Sequence, residues 1–305
     1  MKNHTNRLVV SKNTEQGAVM NSMQAGQLVV VFGMGLILMS CGASDNEMNV
    51  ALAQQNTGRD FVAPVVYQAA GPDVASIQNT IDQYRAALGA ANNGNAPGPL
   101  VNGRREINWD GGGSAATSVV GTPFTGFLAN RGALFTTTGT GFVQAPLAGL
   151  AETFHNETYV TIFQPFSPQR LFSPIDSNVT EATFFVPGGG DAPVPATTKG
   201  FGAIFTDVDL PDGSGPGDKN GNRKASTLIE CFGSDGGLVF SSFVPASPGD
   251  GSVSFLGIVF ADARIARVRI TSGDVSPGPN DDGTHDIVMM DDFLYGEPQP
   301  VQPTP

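Results

Sequence analysis

Residues 264–274 read RIARVRITSGD, in which Ala266, Val268 and Ile270 alternate with Arg267 and Arg269. A period of two puts an apolar row on one face of a β-strand and two guanidinium groups on the other. The Ser-Gly-Asp that follows ends the run as a turn. The same alternation recurs upstream, where Ile229 and Cys231 face away from Glu230. Strands apolar on one face need a second layer against that face, so this pattern predicts sheets packed on one another.

Outward from this strand, short apolar runs bounded by Gly, Pro, Asp and Ser predict strands at Glu106–Trp109, Gly132–Thr137, Thr158–Phe163, Val179–Val186, Phe201–Leu210, Thr227–Phe232, Leu238–Val244, Val253–Phe260, Ile265–Thr271 and Asp286–Tyr295. The expected fold class is all-β, a β-sandwich over residues 104–298. Composition points the same way: with 39 Gly, 22 Pro, 20 Phe and only 14% charged residues, tight turns and short strands are favoured over long solvated helices. One amphipathic helix is expected before the sandwich, over residues 73–92. Val74, Ile77, Ile81, Tyr84 and Leu88 share a face there, with Asp73 as N-cap. Residues 41–72 read as a polar tether, Asn93–Gly103 as a linker, and 299–305 as a disordered tail.

Charge narrows the partners. The chain carries −12 at pH 7, and its first forty residues hold Lys2, Arg7 and Lys12 against Glu15, which leaves the part from Cys41 onward near −14. Such a body repels phosphate backbones, so nucleic acid is not an expected partner, whereas divalent cations are. The two cysteines, Cys41 and Cys231, make no disulfide framework. Cys231 lies on the apolar side of its strand and reads as a small core residue.

Leu28 to Met39, LVVVFGMGLILM, is an uncharged run of twelve. It is too short to span a bilayer as a helix, which takes roughly 17 to 25 residues, and it fits the core of a signal peptide over residues 1–40. It ends in Leu38-Met39-Ser40-Cys41, which resembles the lipobox of bacterial lipoproteins. The resemblance implies a lipidated Cys41, attachment to a membrane through that lipid, and placement at the outer membrane or cell surface. Met39 is bulkier than the lipobox pattern, and the basic residues lie far upstream. An ordinary signal peptide and an uncleaved interfacial anchor therefore stand as alternatives.

The stretch from Arg104, with REINWDGG, FSPQRLFSPIDSN, TTKGFGAIFTDVDL, FVPA, SFLGIVF, RIARVRITSGD and DIVMMDDFLYGEP, resembles a group of uncharacterised bacterial secreted proteins. The second half is also similar to jelly-roll modules of the galactose-binding-like or carbohydrate-binding kind. That resemblance implies a two-sheet jelly roll, often with a structural calcium and sometimes with a sugar-binding surface. The stretch Pro211–Arg223 departs from it as a longer insert.

The insert region holds the densest set of hard oxygen ligands: Asp207, Asp209, Asp212, Asp218, Asn220 and Asn222, interspersed with glycines. Calcium takes six to eight oxygens, and such a loop can wrap one. The spacing departs from an EF-hand and lacks its closing glutamate, and a solvated acidic turn is the other reading. Asp291 and Asp292 adjoin within a strand, so alternation sends their side chains to opposite faces and excludes a simple acid/base pair. The family resemblance implies a structural role for them beside calcium. Trp109, the single tryptophan, is expected in the core, and His155 and His285 at the surface. Neither a G-x-S-x-G elbow nor a P-loop is present, and no catalytic residue is assigned. Three functions fit: a non-catalytic exported module binding glycan or a surface protein, a structural envelope or adhesion protein, or a glycan hydrolase using paired carboxylates.

Overall fold

A computed structural model of the chain describes residues 63–111, 116–188, 192–210, 227–279 and 285–301. Among the described residues the strands are β1 Val65–Gly71, β2 Arg104–Ile107, β3 Ser118–Gly121, β4 Ala133–Thr136, β5 Gly141–Ala145, β6 Leu171–Ile175, β7 Val179–Phe184, β8 Ala196–Thr197, β9 Gly200–Thr206, β10 Leu228–Phe232, β11 Leu238–Phe243, β12 Val253–Val259, β13 Arg267–Thr271, β14 Met289–Gly296 and β15 Gln299–Pro300. The helices are α1 Val74–Leu88, α2 Leu128–Arg131, α3 Leu147–Phe154 and α4 Tyr159–Ile162.

The strands form an eight-stranded sheet ordered β1-β12-β9-β14-β6-β5-β3, with β2 also on β14, and a five-stranded sheet ordered β11-β10-β13-β7-β4. Pairing is antiparallel throughout both. One core cluster draws on both sheets, with Val268, Ile270, Ile229 and Cys231 from the smaller and Phe205, Leu256, Met290 and Phe293 from the larger. That is the β-sandwich arrangement: the alternating rows read from residues 264–274 are the inner face of β13, and Arg267 and Arg269 lie on its outer face.

Helix α1 covers the other face of the larger sheet. The Asp73 carboxylate accepts the Ser76 N–H at 3.0 Å and caps it. Ile77, Ile81, Tyr84 and Leu88 are buried against Ile204, Val253, Phe255 and Leu294. The Tyr84 ring enters a slot made by two facing glycines, Gly202 on β9 and Gly257 on β12, where an added Cβ would come within 2.8 and 2.7 Å of the ring.

Three expectations need correcting. Val65–Gly71, read as tether, is strand β1 paired with β12. Its Tyr67 packs edge-on to Tyr84 of α1, centroids 5.5 Å apart, and Val65, Val66 and Tyr67 are residue types that favour a strand. The strand expected at Thr158–Phe163 is the helical turn α4. The Asn156 side chain accepts the Thr158 N–H at 3.0 Å and starts that turn, and Tyr159 and Phe163, four residues apart, both bury into one cluster. Residues 299–301 are not a loose tail, because β15 pairs with β8 and the Val301 N–H donates to Pro195 O at 3.1 Å.

Candidate functional site

The site is organised by an irregularity in β14. Met290 pairs with Phe205 and Phe293 with Ala203, so Asp291 and Asp292 together oppose the single residue Ile204. This two-against-one register is a β-bulge, which re-aims side chains that regular alternation would send apart. Both aspartates reach the Ser167 hydroxyl, Asp292 Oδ1 at 2.7 Å and Asp291 Oδ1 at 3.2 Å. The expectation that they face opposite sides of the sheet is therefore wrong, and the bulge is the reason.

Asp110 joins them, its Oδ2 at 3.0 Å from the same hydroxyl, and the Asn108 carbonyl lies at 3.5 Å. The remaining carboxylate oxygens pin the neighbouring loop through its backbone. Asp291 Oδ2 accepts the N–H groups of Phe166 and Ser167 at 2.6 and 3.2 Å, and Asp110 Oδ1 accepts those of Gln169 and Arg170 at 2.6 and 2.8 Å. Trp109 holds the bulge from within: its indole N–H donates to Asp291 O at 3.0 Å while the ring stacks on Phe172, centroids 3.6 Å apart. Trp109 is fully buried, a core residue as expected.

The hydrogen count at Ser167 is informative. A hydroxyl has one hydrogen, yet three carboxylate oxygens surround it, so two of the contacts require a proton on a carboxyl or a cation among the oxygens. Burial pushes both Asp291 and Asp292 up from the ordinary carboxylate range. Asp291 is further raised by the neighbouring charge of Asp292, and Asp292 is partly held down by the Ser167 hydrogen bond. The Arg85 guanidinium is 3.9 Å from Asp292 and is engaged with Glu106 at 3.1 Å. All the donors are oxygens, the chemistry of a hard cation such as calcium. As the side chains stand, no group of three or more His, Cys, Asp or Glu among the described residues is set to hold a metal.

A second acidic cluster lies where β9 ends. The Asp286 carboxylate accepts the N–H groups of Asp209 and Leu210 at 3.2 and 3.4 Å, and Asp209 Oδ1 accepts that of Gly249 at 2.8 Å. Asp274 accepts the Asp286 N–H at 3.0 Å and meets His285 Nδ1 at 3.3 Å, so His285 is half-buried and engaged where a surface residue was expected. Burial, with Asp209 and Asp274 adding to it against two backbone hydrogen bonds, pushes Asp286 up to about 7.

The expected ligands thus divide. Asp291 and Asp292 meet at the bulge, Asp207 and Asp209 sit at the β9 end, and Asp212, Asp218, Asn220 and the lipidation candidate Cys41 lie outside the described residues. Asp110, Ser167 and Asp286 went unread in the sequence. Asp110 had a signal in its place between a strand and three glycines; Ser167 had none. Two shallow concavities lie away from the bulge, one lined by Leu88, Val101, Lys199, Glu297 and Gln299, the other by Phe184, Phe185, Val194 and Pro195. No protein-family model, curated protein or solved structure matches this chain.

Proposed function

We propose that this chain is an exported, lipid-anchored, non-catalytic jelly-roll module that binds glycan or another extracellular partner, with a calcium ion at the Asp110, Asp291 and Asp292 cluster as a structural brace. The observation that carries the reading is the use made of these carboxylates: four backbone N–H groups of one loop and one shared hydroxyl, at a bulge locked by Trp109. Oxygens spent on holding a loop suit a brace. A glycosidase pair instead faces a substrate across a gap of roughly 5 to 10 Å, whereas Asp291 and Asp292 are 1% and 3% exposed and converge on one serine. In this reading Asp110, Asp291 and Asp292 hold the ion with the Ser167 hydroxyl and the Asn108 carbonyl, and the ion supplies charge neutralisation and no reaction.

Export and lipidation rest on the Leu38–Cys41 motif, and the extracellular partner on the resemblance to carbohydrate-binding modules together with the acidic body. Glycan-array binding and calorimetric titration with soluble polysaccharides, each with calcium and with chelator, test the module reading. Saturable binding to a glycan supports it. Turnover of a polysaccharide that is lost in Asp292→Asn overturns the non-catalytic assignment. Mass spectrometry of the mature N-terminus, finding an unmodified Cys41 or cleavage elsewhere, overturns the anchor alone.

A further inference from the structure

We propose that the free edge of β1 is an interface between two copies of this chain, in which β1 pairs antiparallel with its counterpart about a two-fold axis at Gln68.

β1 ends the eight-stranded sheet, and among the described residues its backbone bonds to β12 alone. An open strand edge is a template for another strand, and folded proteins blunt such edges with charge, proline, a bulge or a covering segment. β1 has none of these. Its residues, VVYQAAG, hold no charged side chain and no proline, and its register with β12 runs unbroken from Val65 opposite Val259 to Gly71 opposite Val253. The other three sheet ends differ. β3 is only four residues long, and the ladder between β10 and β11 shifts register after Cys231. β4 is covered by Phe124, which exchanges two backbone hydrogen bonds with Phe135 at 2.8 and 3.1 Å.

The order of residues in β1 makes the occupant a second copy. Three bulky side chains precede Gln68 and three small residues follow it. Antiparallel pairing about Gln68 sets Val65 against the partner's Gly71, Val66 against the partner's Ala70 and Tyr67 against the partner's Ala69. Every such pair joins a large residue to a small one, and the two-fold axis repeats all three. Val65 and Val66, 57% and 42% exposed, are neighbours on opposite faces of the strand, and the pairing covers both. Gln68 is exposed and meets the partner's Gln68 on the axis, where two amides can exchange hydrogen bonds. Tyr67 and Ala69 are already held by the α1 cluster, so the edge is ordered before it pairs. Charge favours a like partner at this place as well. Copies that carry −12 repel one another, and a strand without carboxylates lets them approach at least cost. A single strand pair buries less than a standard interface of about 1,600 Å², so the dimer is of the weak, concentration-dependent class.

Sedimentation equilibrium of the full chain, in a detergent that disperses the apolar run at residues 28–39, tests the interface from about 5 to about 500 μM. Wild type should show a monomer–dimer equilibrium. Gln68→Lys and Gln68→Glu each set like charges face to face on the axis and should raise the dissociation constant about tenfold or more. An equimolar mixture of the two variants should regain the dimer, because opposite charges then meet across the axis. Leu238→Lys, on the open edge of β11, should leave the equilibrium unchanged. Circular dichroism confirms the fold of each variant. A wild type that stays monomeric throughout this range overturns the proposal, as does a dimer that both Gln68 variants form as readily as wild type. A mixture that associates no better than either variant alone, or a dimer lost in Leu238→Lys, also contradicts it.

Discussion

The indole N–H of Trp109 donates to the main-chain carbonyl of Asp291, 3.0 Å away, so the chain's single tryptophan is fastened to the bulge that carries the acidic cluster. Trp109→Phe keeps much of the stacking on Phe172 and removes the donor. A buried carbonyl left unsatisfied costs about 1 to 3 kcal/mol. Denaturant unfolding should show a loss of that size, with weaker calcium binding at the cluster; a variant as stable as wild type contradicts a bulge fixed from the core.

The facing pair Gly202 and Gly257 predicts a packing failure. A methyl at either position meets the Tyr84 ring at under 3 Å, while both glycines lie in central strands where no unusual backbone angle is needed. Overpacking of this kind typically costs about 1 to 3 kcal/mol. Gly257→Ala should fall in that range, and pairing it with Tyr84→Leu should recover part of the loss, as read by thermal unfolding. Additive losses would mean that the slot does not seat the helix.

Both findings bear on what a sequence discloses. Alternation at 264–274 identified β13 and its inner face because a half-buried strand writes its period into the residues. Helix α1 was legible for the same reason, at spacing 3.6. The runs 141–145 and 171–175 are buried on nearly every side chain and leave no alternation to read. Tyr84's slot was hidden as well, since Gly202 and Gly257 look like ordinary turn formers until the register pairs them. At the site, Asp291 and Asp292 stood out as residues, but their convergence depends on one extra residue in a ladder, and Asp110 and Ser167 arrive from segments some 120 to 180 positions away in sequence.

Asp286 gives a pH signature. Its carboxyl keeps a proton in the fold up to about pH 7, whereas in the unfolded chain it ionises near pH 4. Between those values the folded state binds more protons, so this group makes stability fall as pH rises from about 4 to about 7, and its effect is level above that. Each tenfold difference in proton affinity between the two states is worth ~1.4 kcal/mol, so across this window the contribution is at most about 4 kcal/mol. In chelating buffer, Asp286→Asn should therefore gain stability over wild type as pH increases through this window. A difference between the two proteins that does not vary with pH contradicts a raised Asp286.

Burial pushes the Cys231 thiol well above its ordinary range and leaves it little nucleophilic thiolate. Iodoacetamide at pH 8 should leave Cys231 unmodified in the native protein and alkylate it fully in denaturant. Rapid native labelling would place this side chain outside the core and would challenge the inner-face assignment of β10.

A calcium ion braced by the carboxylates of Asp110, Asp291 and Asp292 is tested most directly by the thermal midpoint of the full chain in chelator and in millimolar calcium, for wild type and for Asp110→Asn. A ligand held only by the native state at 100 times its Kd stabilises by about 2.7 kcal/mol, which for a domain of this size is a rise of several degrees. Wild type should show that rise, and Asp110→Asn should lose a large part of it. Equal midpoints for wild type with and without calcium would contradict the account.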